Sequence, residues 1–211
     1  MEIRPIIIIG AGGHAKVLIS ALKYLQREII GILDHDSTLI GKSIAGVDVL
    51  GDDDKIQDYD PITIELVNGI GSVSSPEKRR NLYLKFKDMG YTFAKVIHPS
   101  AIIMSDVKTG EGAQIMAGAI VQTGCIIGEN VIINTGAILD HECMIGAHNH
   151  VAPGAVLSGN VQVGGMVHIG TAATIIQGIK IGEATIIGAG AVVIKNVPSN
   201  VKVAGIPASL I

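Results

Sequence analysis

The sequence has no tryptophan, only four tyrosines and two phenylalanines, and two cysteines in 211 residues. Charge is also scarce beyond the first 98 residues, which hold 25 of the acidic and basic side chains while the remaining 113 hold ten. No run approaches the eighteen or so apolar residues that a spanning helix needs, so the charge-poor half reads as a segment that stacks its own core rather than one that enters lipid. The net charge of −3 and the lack of any basic cluster beyond Lys78-Arg79-Arg80 leave no electrostatic footprint for nucleic acid. Met1-Glu2-Ile3-Arg4-Pro5 has neither the basic start nor the small-residue cleavage site of a secretory leader, and a cytoplasmic location is expected. Cys125 and Cys143 lie eighteen residues apart at equivalent positions, where small core residues are expected rather than a disulfide or a nucleophile.

What is present is a repeat. Every sixth residue from Ile115 to Val193 is aliphatic, through Val121, Ile127, Ile133, Leu139, Ile145 and onward. A strand alternates with period two and a helix repeats near 3.6, so a period of six fits neither and marks a parallel β-helix. The residue after the aliphatic is often glycine, as at Gly128, Gly146, Gly164 and Gly182, where the chain must turn a tightly packed corner. Six residues make one face and one corner, so eighteen make a triangular coil, and residues i and i+18 stack about 4.8 Å apart. Thr109 departs from the aliphatic register, as expected for an atypical first coil. So little charge on such a surface predicts that other copies cover part of it, and a homotrimer is expected.

The first 98 residues read differently. Pro5 to Ile9 forms a strand buried on both faces, Gly10-Ala11-Gly12-Gly13-His14 a turn, Ala15 to Gln26 a helix and Ile29 to Leu33 a second strand. This is half of a nucleotide-binding βαβ unit, in which glycines let a bound group approach the helix N-terminus. Ala15 breaks the full dinucleotide fingerprint, so a nicotinamide cofactor is only weakly supported. Asp34, His35 and Asp36 follow the second strand, where such folds place a ribose-binding acid; a solvated turn is the competing reading. Residues 46–60 are expected to be a surface loop with a short helix, Ile62 to Val67 a third buried strand, and Ser75-Pro76-Glu77 the start of a helix running to Met89. Thr92 to Ile97 reads as a last strand and His98-Pro99-Ser100-Ala101 as the hinge, which divides the chain at 98/99.

Four histidines, His141, His148, His150 and His168, concentrate in this nearly uncharged solenoid. His141 sits between Asp140 and Glu142, and an imidazole beside a carboxylate is a general-base arrangement. The competing reading of His141 is a corner residue at a subunit interface. His150 and His168 differ by eighteen and stack on one edge, half a coil out of phase with His141. Zinc held by three histidines between subunits would need a third ligand at matching height, which the sequence does not supply, so no metal is expected.

The hexapeptide run, the segment Asn134-Thr135-Gly136-Ala137-Ile138-Leu139-Asp140-His141-Glu142-Cys143, the later Gly205-Ile206-Pro207-Ala208 and the leading Gly-Ala-Gly-Gly-His turn together resemble the sialic acid O-acetyltransferase-type (NeuD-like) family of hexapeptide-repeat acyltransferases. In pattern they are most similar to its bacterial nucleotide-sugar N-acetyltransferases. The resemblance implies an α/β N-terminal Rossmann-like half-domain that holds a sugar nucleotide (1–98), followed by a left-handed parallel β-helix that binds acetyl-CoA (99–211). It implies a homotrimer with active sites between subunits. Carried over by position, His141 resembles the general base, Glu142 its orienting partner and Gly159 the backbone donor to the thioester oxygen. His150, Thr171 and Ala189 match acetyl-CoA contacts, and Gly12, Gly13, His14, Asp34, His35 and Gly71 match substrate contacts. His35 stands where family members often carry a second acid.

The expected reaction is direct acetyl transfer from acetyl-CoA to the amine of a UDP-linked 4-amino sugar for glycan biosynthesis. Three alternatives stand beside it: O-acetylation of sialic acid or another sugar, a zinc-dependent hydratase of carbonic anhydrase type, and a non-catalytic sugar-nucleotide-binding trimer.

Overall fold

A computed structural model describes residues 3–72 and 75–211. Met1 and Glu2, where the reading of a missing leader begins, lie outside the described residues. The chain folds as an α/β layer followed by a left-handed parallel β-helix.

The N-terminal sheet is built on Ile6–Ile9 (β1), four isoleucines with no exposed surface. Ile29–Leu33 (β2) and Glu65–Asn68 (β5) pair with it in parallel on either side. Val47–Gly51 (β4) extends the sheet beyond β2, and the short Ser43–Ile44 (β3) closes the edge antiparallel to β4. The order is thus β3-β4-β2-β1-β5. A strand at Val47–Gly51 corrects the expectation of a loop there. Its alternating Val47, Asp48 and Val49 place the valines inward and the acid outward, a strand signal that the surrounding aspartates obscured. Ile62 is 76% exposed, and the third strand starts only at Glu65, because Ile62 and Thr63 belong to a turn capped by Asp60. The predicted acidic short helix is present as a 3₁₀ segment, Asp53–Asp58.

Gly13–Tyr24 (α1) and Glu77–Asp88 (α2) cover the two faces of this sheet. The Ser75 hydroxyl accepts the Glu77 N–H at 3.2 Å, as the start signal predicts. Leu18, Ile19 and Leu22 of α1 pack on Ile6 and Ile8, while Tyr83 and Phe86 of α2 pack on Ile7 and Ile9. Each such side chain contributes about 1.5–3 kcal/mol by leaving water.

In the solenoid the period of six becomes three sheets. Strands at 114–115, 132–133, 150–151, 168–169 and 186–187 stack on the first face. Those at 120–121, 138–139, 156–157 and 174–175 make the second, and 126–127, 144–145, 162–163 and 180–181 the third. Partners differ by eighteen throughout, as in Ile133↔Val151 and Leu139↔Leu157. Ile115, Val121, Ile133, Leu139 and Leu157 are fully buried in one continuous core, together with Cys125 and Cys143. Corner glycines of the Gly128 type have no room for a side chain, since a Cβ there would strike the backbone of Gly146 and Ala147 in the next coil. Every sixth residue from Gly112 to Gly190 turns with positive φ, including Glu142 and His148. Lys108–Thr109 still pairs with Ile126–Ile127, so Thr109 interrupts the aliphatic column without interrupting the coil.

The two parts share a seam. Phe93 bridges to Leu66 of the N-terminal sheet, and Val96–Ile97 (β6) already pairs with Gln114–Ile115 of the solenoid. The expected strand over 92–97 is therefore split between both. Arg79 of α2 lies fully buried in the seam, donating to the carbonyls of Asn68 at 2.9 Å, Ile70 at 2.7 Å and Asn130 at 3.3 Å.

Candidate active site

Strand β1 ends at Gly10, whose φ of +97° and contact with Ile70 turn the chain sharply into α1. The first turn of α1 lacks a side-chain cap, so Gly12, Gly13 and His14 present N–H groups and the positive end of the helix outward. They open onto a cavity of about 790 Å³ between the α/β layer and the solenoid. Asp34, His35, Gly71 and Ser72 line it from the N-terminal side, and Asn134, Thr135, His150 and Pro153 from the solenoid. All six substrate residues expected from the sequence thus border one space.

Asp34 does more than face a ligand. Its Oδ2 accepts the Ala11 N–H at 2.6 Å and its Oδ1 the Asp36 N–H at 2.9 Å, so the carboxylate ties the two strand-end turns together. His35 is 90% exposed on its side chain, with Nδ1 3.3 Å from the same carboxylate.

His14 Nε2 lies 2.7 Å from Gln114 Oε1. Gln114 Nε2 donates to the Asn68 carbonyl at 2.8 Å, which leaves Oε1 as acceptor and puts the His14 proton on Nε2. Burial, and then the Arg79 charge, push the His14 imidazole down to about 4 despite that hydrogen bond. Burial also holds Arg79 down to about 9. His150 falls to about 3, through burial first and then its neighbours His168 and His14. Burial likewise lowers His168 and His148. The seam therefore carries neutral imidazoles around one buried guanidinium.

The solenoid corners divide the other expected residues. His141 and Gly159 share the corner between the second and third faces, where the Asn160 N–H donates to the His141 carbonyl. The His141 ring lies directly over Gly159. Its Nδ1 is 3.3 Å from Glu142 Oε2, and the Asp140 carboxylate accepts the His141 backbone N–H at 2.8 Å. A carboxylate can only accept, so Nδ1 carries the proton and Nε2 offers a lone pair. Thr171 and Ala189 lie on a different corner, between the first and second faces, above Thr135 and Pro153 in one column. His141, Glu142 and Gly159 do not border the cavity. His150 does, beside the substrate residues.

Reasoning from the sequence missed Ser72, Arg79 and Gln114. Ser72 and Gln114 carried one signal, polar character in a turn and a strand otherwise made of aliphatics and glycine; Arg79, inside the charged helix α2, carried none. Among the described residues, no group of three His, Cys, Asp or Glu side chains is arranged to hold a metal.

Comparisons with known proteins follow the same division. Residues 5–86 match the PglD N-terminal domain, and residues 100–141 and 124–159 match the bacterial transferase hexapeptide (six repeats). Perosamine N-acetyltransferase from Caulobacter crescentus, solved as its H141N variant with CoA and GDP-perosamine, is 37% identical over 100% of this chain and 98% of its own, with a TM-score of 0.91. The chain belongs to the hexapeptide-repeat acetyltransferases with a PglD-type N-terminal domain. The acetyltransferase domain of PglB from Neisseria gonorrhoeae, solved with acetyl coenzyme A, is 33% identical over 100% of both chains, with a TM-score of 0.92. WeeI from Acinetobacter baumannii is 25% identical over 99% of this chain and 100% of its own, with a TM-score of 0.82. No curated protein sequence matches. No helix among the described residues of this acetyltransferase is long and apolar enough to cross a membrane.

Proposed function

We propose that this acetyltransferase moves the acetyl group of acetyl-CoA to the amine of a nucleotide-linked amino sugar in the cytoplasm. The observation that carries the reading is the cavity, which joins an open helix N-terminus suited to a diphosphate to a polar solenoid corner. The sugar is assigned as a UDP-linked 4-amino sugar, with the GDP-linked form as the alternative favoured by the C. crescentus relative.

In this reading the amine attacks the thioester carbonyl, the C–S bond breaks, and the amine proton passes to His141 Nε2 and on to the departing thiolate. Glu142 steadies the imidazolium from the Nδ1 side. The Gly159 N–H donates to no other group among the described residues and faces the developing oxyanion. The C. crescentus protein was solved as H141N and H141A variants, each with CoA and GDP-perosamine.

Because His141 and the cavity occupy different parts of one chain, the complete site is assigned to the contact between two copies of a homotrimer. Thr171 and Ala189, in the column above Thr135 and Pro153, are assigned to acetyl-CoA leading out of the cavity, with His150 at its inner end. Exposed apolar side chains on the third face, Ile126 at 42% and Met144 at 48%, stack in register and support burial by another subunit.

Thiol release from acetyl-CoA, measured with UDP- and GDP-linked 4-amino sugars and with sialic acids, tests the reading. Release with the nucleotide-linked amines alone supports it; release with sialic acid alone assigns O-acetylation instead.

A further inference from the structure

Ser72 occupies an unusual position at the seam. Its hydroxyl is 2.8 Å from His150 Nδ1 and 3.1 Å from His168 Nδ1, and its carbonyl is 2.9 Å from His150 Nδ1. The carbonyl can only accept, so His150 Nδ1 must carry a proton. A second contact gives the same answer. Asn134 Oδ1 accepts the Thr135 N–H at 2.8 Å, which turns its Nδ2 toward His150 Nε2 at 3.0 Å, and there the ring nitrogen must accept. With His150 donating, the Ser72 O–H is free to donate onward to His168 Nδ1. The two rings stand edge to face, 88° apart with centroids separated by 5.1 Å.

We propose that Ser72 and His168 are positioning residues that act through His150 to aim the Asn134 amide into the cavity. The hydrogen bonds then run in one direction at each link. Ser72 gives its proton to His168 and receives that of His150, and His150 Nε2 receives one Asn134 N–H. The other Asn134 N–H faces the cavity as a donor for a carbonyl or phosphate oxygen. The structure thus presents an amide donor at this wall, and an imidazole N–H from His150 Nε2 is excluded by the Asn134 contact.

Removing the hydroxyl frees His168 Nδ1 as an acceptor beside the His150 Nδ1–H. The His150 Nδ1–H keeps the Ser72 carbonyl as its acceptor but loses the hydroxyl that shared it, so the ring is held less firmly and its Nε2 is aimed less firmly at Asn134. One neutral hydrogen bond of this kind corresponds to a five- to tenfold change, as an order of magnitude.

The consequence for catalysis rests on the proposed transferase reading, but the proton positions do not. Nitrogen NMR of full-length protein labelled with ¹⁵N-histidine reads them, and the signal lost in His150→Gln identifies the ring. A His150 protonated at Nδ1 and a His168 protonated at Nε2 are expected. In Ser72→Ala, kcat is expected to fall about five- to tenfold with the melting temperature preserved, and Ser72→Thr, which restores a hydroxyl, is expected to return it to within about twofold. A His150 protonated at Nε2 in the parent overturns the proposal, as does a Ser72→Ala kcat within twofold of the parent. If no nucleotide-linked amine is acetylated, the functional reading fails while the NMR pattern still decides the relay.

Discussion

Replacing Gly159 by alanine separates the placement of the proposed base from the stability of the fold. The backbone of Gly159 does not need positive φ, so alanine is compatible with its conformation. The new Cβ, however, would lie 3.0 Å from His141 Cδ2 and nearer still to Nε2 and Cε1. Carbon contacts settle near 3.5–4.0 Å, so the ring must withdraw by roughly 1 Å or more. It is free to do so, because the His141 side chain is 45% exposed and held laterally only by the Glu142 contact. The strain is thereby relieved by moving the ring, and the cost to folding stays below about 1 kcal/mol. A displacement of about 1 Å in a catalytic group costs roughly a hundredfold, and complete loss of a positioned base costs about 10²–10⁴. Steady-state thiol release should therefore show kcat reduced about a hundredfold, with the melting temperature within a few degrees of the parent. Unchanged kcat would refute the placement of the base over Gly159. A collapsed melting temperature would show that the corner, not the ring, absorbs the added methyl.

Other outcomes follow from the same geometry. His141→Ala should lower kcat by about 10²–10⁴ while acetyl-CoA binding by calorimetry is retained; turnover within threefold of the parent contradicts its role as base. Arg79→Met removes the donor to the Asn68, Ile70 and Asn130 carbonyls and should destabilise the protein by about 2–4 kcal/mol in urea unfolding, while raising KM for the sugar through the loosened Gly69–Ser72 turn. His14 and His150 have folded values near 4 and 3, below the ordinary 6.5, so the unfolded chain binds protons first. Their contribution is fully present above about pH 6.5 and is lost as pH falls toward 4; a melting temperature flat across that window contradicts the buried neutral state. Leu157→Ala should cost about 2–5 kcal/mol, since the side chain is fully buried between Leu139 and Ile175 in the core column.

Much of the fold was legible because the solenoid repeats one local rule. Any inward aliphatic between Ile115 and Val193 predicts its neighbour eighteen residues away, and Ile133↔Val151 or Leu139↔Leu157 needs no long-range information to be placed. The α/β layer was harder. Val47–Gly51 is a strand only because β2 offers it an edge, and the aspartates around it read as surface. Ile62 looks like core in sequence yet sits in a turn. Among the site residues, Gly12, Gly13, His14 and Asp34 follow from the strand–turn–helix pattern, which places the cavity without any knowledge of the seam. Ser72, Arg79 and Gln114 could not be read, because their roles arise where two independently patterned layers meet. The separation of His141 from the cavity was implicit in the six-residue period, since 135 and 141 fall on successive corners. It became evident only once the cavity was located.

A site divided between two copies is the central claim, and mixed oligomers test it. A Cβ at Gly12 meets nothing within 4 Å, so Gly12→Trp fits the backbone and fills the cavity. His141→Ala leaves the cavity open and removes the base. Each variant alone should be inactive. Coexpressed in equal amounts, each site draws its base and its cavity independently from two chains, so about one quarter of parental activity should return. Mixed oligomers as inactive as either variant alone would contradict the account.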